Sequence, residues 1–271
     1  MSTPDTIVLV HGFWVSPRSW EHWVSHYEAK GYRVLAPAYP GFDVEVEALR
    51  EDPTPIVDLD LKEAVARFGR VIAELDQPPI IIGHSAGGAI TQILLDHGCG
   101  AAGVALNSAP TEGVPVAPWS QIRSTWPILH NPIRNKHKAI GFTLEQWEYA
   151  FTNGLPEQLT RETYERYHVP ASGRVLIGSV TANVLPGHQD TWVDYKNEQR
   201  APLLFISGTS DHIMPPSVQK SNAKHYKGET TITERIEFEG PHLMIAAEGW
   251  EAIADTALEW AVAHARKAVA A

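Results

Sequence analysis

Cysteine is nearly absent from this sequence. Cys99 stands alone, which excludes an intramolecular disulfide and suits a reducing compartment, the cytoplasm. It lies in DHGCGAAG, a helix end running into a loop, with no second thiol and no charge cluster to stabilise a thiolate. Packing is therefore its expected role. Basic residues are also few: Lys and Arg number 22 against 32 Asp and Glu, for a net charge of −10. They are scattered, and without a basic face neither nucleic acid nor an anionic membrane is expected as a partner. No stretch approaches the roughly 18 to 20 continuous apolar residues of a membrane span. The opening residues, MSTPDTIVLVHG, lack the basic start and long apolar stretch of a secretion signal.

What is present is an ordinary globular composition, 44% hydrophobic and 20% charged, in a chain long enough for one large α/β domain with an insertion. Strand-like and helix-like segments alternate. TIVLV (6–10), YRVLAPAYPG (32–41), IIIG (80–83), GVALN (103–107), APLLFISG (201–208) and TTITERIEFEG (230–240) read as strands. Residues 19–31, 61–75, 86–97 and 250 to about 268 read as helices, and the acidic, proline-bearing residues 42–58 as loop. Strands separated by helices predict a mostly parallel sheet of about six strands with helices on both faces. IVLV, IIIG and PLLFI are continuously apolar, as strands buried on both faces should be.

From about 110 to 200 this rhythm breaks. A Pro-rich opening leads into the helix-like segments 143–153 and 156–167 and a set of aromatic residues. The expected organisation is a core of 1–110 with 200–271, and a helical cap or lid of 111–199.

The stretch IIIGHSAGGAI contains G-x-S-x-G around Ser85. Chance alone places such a motif in about one comparable chain in ten, so its surroundings must give it meaning. Ligands bind beyond the carboxyl ends of parallel strands, and three polar groups fall there: Ser85 after IIIG, Asp211 after PLLFISG, His242 after IEFEG. Nucleophile, orienting acid and base thus occur at successive strand ends. Other acids fit less well: Asp190 and Asp194 follow no convincing strand, and the end of GVALN offers only Asn107 and Ser108.

With G-x-S-x-G, the order Ser, Asp, His and the earlier VLVHGFW, the chain resembles an α/β-hydrolase-fold serine hydrolase of the esterase or lipase type. The resemblance runs from Ile7 to the terminal helix, with the lid in the family's usual place. It departs in beginning at the strand before His11-Gly12, so the family's first two strands have no counterpart. It implies Ser85, Asp211 and His242 as catalytic residues and the backbone N–H groups of Phe13 and Ala86 as an oxyanion hole. Trp14, Trp126, Trp147 and Phe151 are candidate pocket walls. The expected reaction is hydrolysis of small to medium, uncharged, fairly hydrophobic carboxylic esters through an acyl-enzyme. Lactonase, thioesterase, C–C bond hydrolase and cofactor-free perhydrolase activities are alternatives on the same triad. A non-catalytic ligand receptor or interaction module is the alternative of another class.

No cofactor or metal is expected. His22 and His26 are four apart on a helix, but HWVSH lacks the glutamate of H-E-x-x-H and no third ligand is near. GHSAGG does not fit a phosphate-binding glycine loop, having neither the Lys-Ser/Thr ending nor G-x-G-x-x-G.

Overall fold

The computed structural model describes residues 3–115 and 117–266. Six parallel strands form the main sheet: β1 (Thr6–Val10), β2 (Arg33–Leu35), β3 (Ile80–His84), β4 (Ala102–Leu106), β7 (Leu203–Gly208) and β8 (Thr233–Phe238). Their order is β2-β1-β3-β4-β7-β8. Two short strands, β5 (Ala139–Ile140) and β6 (Ala171–Ser172), pair antiparallel apart from this sheet. Every residue of β1, β3, β4 and β7 is buried, as their unbroken apolar runs require. Each fully buried Ile, Leu or Val there contributes roughly 1.5–3 kcal/mol relative to exposure.

The sheet edges are shorter than the sequence suggests. The expected strand 32–41 pairs only over Arg33–Leu35, because Pro37 and Pro40 bring no N–H to a ladder and Gly41 turns with φ 84°. At the other edge, β8 is trimmed to Thr233–Phe238 and alternates between half-buried and exposed. Residues 42–58 are not all loop: Val46–Glu51 is helical, burying Val46 and Leu49. The helix Leu61–Ala73 buries Leu61, Ala64, Val65, Phe68 and Ile72, a single stripe, and the Asp60 carboxylate caps its start. The terminal helix covers Trp250–His264: it stops short of the expected end, with Ala265 and Arg266 no longer helical, and residues 267 and 268 lie outside the described residues.

Between β4 and β7 the chain forms the helices Trp119–Leu129, Pro132–Asn135, Leu144–Ala150, Glu157–Tyr167 and Gly173–Thr181. The sequence pattern shows the third and fourth of these. The first is hidden by Pro118 and by Pro127, which has no N–H to offer the carbonyl of Arg123 one turn back. The last turn of this helix is closed from outside: the Asn135 side chain donates to the Pro127 and Ile128 carbonyls at 3.2 and 2.9 Å. The β5–β6 ribbon reaches back to the main sheet through Trp14: the indole N–H donates to the Ile140 carbonyl at 3.0 Å, and Val169 N–H donates to the Trp14 carbonyl at 2.9 Å.

The strand order reverses direction at β1: the chain steps outward to β2, then back across to β3. Beyond the carboxyl ends of β1 and β3 lies the switch point where open α/β sheets bind ligands. The register places Val10 beside Gly83, so the loop opening at His11-Gly12 leaves the sheet next to Ser85.

Candidate active site

Ser85 follows β3 and is the residue before the helix Ala86–Asp96. Its backbone is at φ 57°, ψ −119°, a conformation that costs a non-glycine residue roughly 1–3 kcal/mol. Main-chain hydrogen bonds hold it there: Ser85 N–H donates to Leu106 O at 2.9 Å, while Gly88 N–H (2.9 Å), Ala89 N–H (3.4 Å) and Ala109 N–H (2.8 Å) donate to Ser85 O. Gly83 and Gly87 are required by space, not by φ. A Cβ on Gly83 would strike the Gly87 carbonyl, and one on Gly87 would strike the Val10 and His11 carbonyls. The helix can therefore start directly against the strand ends. Its first N–H groups, Ala86 among them, have no partner within the helix.

Trp14 (φ 63°), Ser85 and Asn107 (φ 43°) are the non-glycine residues with positive φ among those described. They follow β1, β3 and β4 respectively, so backbone strain is concentrated at one edge of the sheet.

His242 and Asp211 meet across the loops after β8 and β7. His242 Nδ1–H donates to Asp211 Oδ2 at 2.7 Å, and both side chains are fully buried. The other carboxylate oxygen accepts from Ile213 N–H (2.7 Å) and Met214 N–H (2.8 Å), which fixes the plane of the acid. Because a carboxylate only accepts, Nδ1 carries the proton of the neutral ring and Nε2 is left with its lone pair. His242 Nε2 is buried and makes no hydrogen bond.

Two side chains anchor His242 through its carbonyl. His84 Nε2–H donates to it at 2.8 Å and Asn107 Nδ2–H at 3.0 Å. Asn107 also accepts from Gly208 N–H at 2.7 Å, joining the ends of β4 and β7 to the histidine loop. The sequence offers Asn107 only as an absent acid. Its place at a strand end is the signal that could have marked it. His84 packs its ring 4.7 Å from that of His242, and burial together with that neighbour holds it well below the usual histidine range.

The loop after β1 is shaped by His11. Its Nδ1–H donates to the Gly12 carbonyl at 2.8 Å, and Nε2 accepts from Tyr39 N–H at 3.3 Å. Both ring nitrogens are satisfied in the neutral form, and burial pulls the group down to about 4. Gly12 approaches so closely that a Cβ there would lie 2.9 Å from Ser85 Cβ. Phe13 follows it into the site.

Phe13, Trp14, Ser85 and Ala86 share one cavity of about 350 Å³ with Ile122, Leu129, Leu176, Ile213 and Met214. No Asp, Glu, Lys, Arg or His lines it among the described residues. Of the aromatic candidates, Trp14 alone lines this cavity. Trp126 is exposed, on the face of its helix next to the one that lines the cavity. Trp147 and Phe151 are fully buried and stack on each other at 4.0 Å, because the apolar side of Leu144–Ala150 packs inward. Phe151 instead sets its edge 4.9 Å from the His242 ring. His22 stacks near Trp250 and His26 bonds Asp255 at 2.6 Å. Among the described residues no group of three or more His, Cys, Asp or Glu is placed to hold a metal.

The buried neutral histidines carry a stability cost in acid. His11 and His168 are lowered by burial to about 4 and about 3, from an ordinary value of about 6.5. Below pH ~6.5 the unfolded chain takes up protons that the folded chain refuses, so stability falls with falling pH, with a slope of up to about 1.4 kcal/mol per pH unit per histidine. Melting temperature is expected to drop between about pH 6.5 and 4, and His168→Gln to show a shallower drop. A pH-independent melting temperature over that range would contradict these assignments.

A serine on a strained turn at the switch point of a parallel sheet, with a buried His–Asp pair in the loops after later strands of the same sheet, is the architecture of an α/β hydrolase. The sequence matches a model described as the alpha/beta hydrolase family over residues 7–256, and the chain belongs to that family. Comparison with curated proteins gives no match. Among solved structures, a monoacylglycerol lipase from Paleococcus ferrophilus is 20% identical, with a TM-score of 0.67 over 98% of this chain and 97% of that one. An extracellular α/β-hydrolase from a Paenibacillus species is 17% identical, with a TM-score of 0.67 over 97% of this chain and all of its own. A pyrethroid hydrolase from Sphingobium faniae JZ-2 is 20% identical, with a TM-score of 0.66 over 96% and 98%. At these identities the likeness concerns the fold. No described helix is long and apolar enough to cross a membrane.

Proposed function

We propose that this protein is a serine hydrolase of small to medium, uncharged, fairly hydrophobic carboxylic esters, acting through an acyl-enzyme on Ser85. The observation that carries this reading is the position of Ser85: it lines an uncharged cavity of about 350 Å³, on the sheet edge that holds the buried His242–Asp211 pair. In this reading residues 111–199 are the cap, supplying Ile122, Leu129 and Leu176 as apolar walls.

Ser85 Oγ attacks the acyl carbon while His242 Nε2 takes its proton, and the carbonyl oxygen develops negative charge. Phe13 N–H and Ala86 N–H receive that charge, and loss of one such donor typically costs about 3 kcal/mol of transition-state stabilisation. Collapse breaks the bond to the alcohol oxygen, which leaves with the proton held on Nε2. Water then repeats the sequence, losing a proton to His242 and releasing the acid and free Ser85. Asp211 holds the imidazole in the tautomer this requires. The monoacylglycerol lipase and pyrethroid hydrolase that share the fold act, by their names, on esters, which favours the ester among bonds open to this chemistry.

A fluorophosphonate probe is expected to label the wild-type protein and not Ser85→Ala. With p-nitrophenyl esters, neutral acyl groups of short to medium length should be hydrolysed. An acyl chain ending in a carboxylate should react at least about tenfold more slowly, since the cavity offers a buried anion no cation. Labelling that survives Ser85→Ala would sink the assignment of the nucleophile.

A further inference from the structure

The outside of the cavity is as informative as its inside. Of the nine exposed large apolar side chains among the described residues, seven lie in the helical segment 111–199. Trp119 is 76% exposed and Trp126 59%. Seven positions apart on one helix, they form a single stripe, adjacent to the stripe of Ile122 and Leu129 that lines the cavity. The helix Gly173–Thr181 packs against this one, and beside it Val180 and Val184 both line the cavity and stand 52% and 79% exposed. Residues that do both mark the mouth. The exposed apolar patch therefore reaches the opening that leads to Ser85 at Val180 and Val184, and Trp119 and Trp126 stand on the helix that forms one wall of the cavity.

Charge is distributed unevenly around it. The chain carries −10 overall, yet it has no Asp or Glu between Glu112 and Glu145, nor between Glu165 and Asp190. The first interval holds Arg123, Arg134, Lys136 and Lys138. Arg123 lies over the Tyr149 ring, whereas Arg134, Lys136 and Lys138 are exposed. In the second interval Arg166 is paired with Glu21 and Arg174 with Asp60; Asp60 and Asp190 share a groove with Lys136, and the acids that follow Lys138, Glu145 and Glu148, lie on the helix Leu144–Ala150. Ionic screening over about 8–10 Å lets such a local basic region act despite the net charge.

We propose that this face docks on an anionic lipid surface, with the two tryptophans at the interface and the cavity mouth turned toward the lipid. Exposed Trp beside basic side chains is the composition of surfaces that lie in the headgroup region. Basic residues next to such a patch draw it to anionic headgroups. A second copy of this chain fits less well, because a two-fold contact would bring the same basic residues against each other. Docking here would let a poorly soluble ester pass from lipid to the cavity without crossing water. The net charge that argues against an anionic surface hides this arrangement.

Flotation with phosphatidylcholine vesicles, with and without phosphatidylglycerol, tests the proposal and requires no turnover, so it stands apart from the esterase reading. The protein is expected to float with the phosphatidylglycerol vesicles at least about tenfold more than with phosphatidylcholine alone, and less at high salt. Trp119→Ser with Trp126→Ser should lose that binding by about tenfold or more. The same variant should keep the wild-type melting temperature and rate on a soluble p-nitrophenyl ester. Absence of flotation, or equal flotation of wild type and variant, would overturn the proposal. So would a wild-type dimer in sedimentation velocity that the variant breaks, since a second copy would then own the face.

Discussion

Ser85→Ala is expected to lower kcat on a p-nitrophenyl ester on the order of 10⁶-fold, while leaving the melting temperature within about a degree or two of wild type. The size follows from the loss of a covalent step. Without Oγ no acyl-enzyme forms, and His242 and the backbone donors are left to act on water that nothing positions. Stability should change little because the substitution retains Cβ and removes one oxygen that faces the cavity. The strained backbone at φ 57° is held by hydrogen bonds from main-chain atoms, which alanine preserves. A variant keeping a tenth of wild-type activity would move the nucleophile elsewhere.

Asp211→Asn is expected to cost about 10⁴-fold in kcat near neutral pH, with the fold intact. The reason lies in the second oxygen of the carboxylate. Oδ1 accepts from both Ile213 N–H and Met214 N–H, and an amide can keep those bonds only by leaving its oxygen there. Its NH₂ then faces His242 Nδ1. Two donors cannot share one hydrogen bond, so the neutral ring must move its proton to Nε2. In that tautomer Nε2 has no lone pair for the Ser85 proton. Binding should suffer far less than turnover, so KM stays within a few-fold while kcat falls. An Asp211→Asn enzyme with near-normal kcat would show that another group orients the base.

Much of this was readable from the residues because it depends on short-range rules. The alternation of apolar runs and amphipathic helices prescribed a parallel sheet, and buried strands such as IIIG could not be placed at an edge. Parallel topology then sends every strand end to one side, so the turns that carry Ser85, Asp211 and His242 all open on that side. The spacing of Gly83 and Gly87 around Ser85 was likewise a local steric statement, and the contacts a Cβ would make there supply its reason.

The rest depended on which faces meet. Trp147 lies on a helix whose apolar stripe faces inward and Phe151 caps its end, and composition cannot say whether inward means the cavity or the core. Trp126 is apolar and yet exposed, because its stripe is one step round the helix from the cavity wall. Asn107 and His84 hold the His242 carbonyl from 135 and 158 positions away, a relation that exists only after β3, β4, β7 and β8 are stacked in register. Sequence by itself determined the sheet, the place of Ser85 on its tight turn and the strand ends that Asp211 and His242 follow. Tertiary structure alone decided the tautomer of His242, the walls of the cavity and the apolar residues at its mouth, because each depends on side chains brought together from distant parts of the chain.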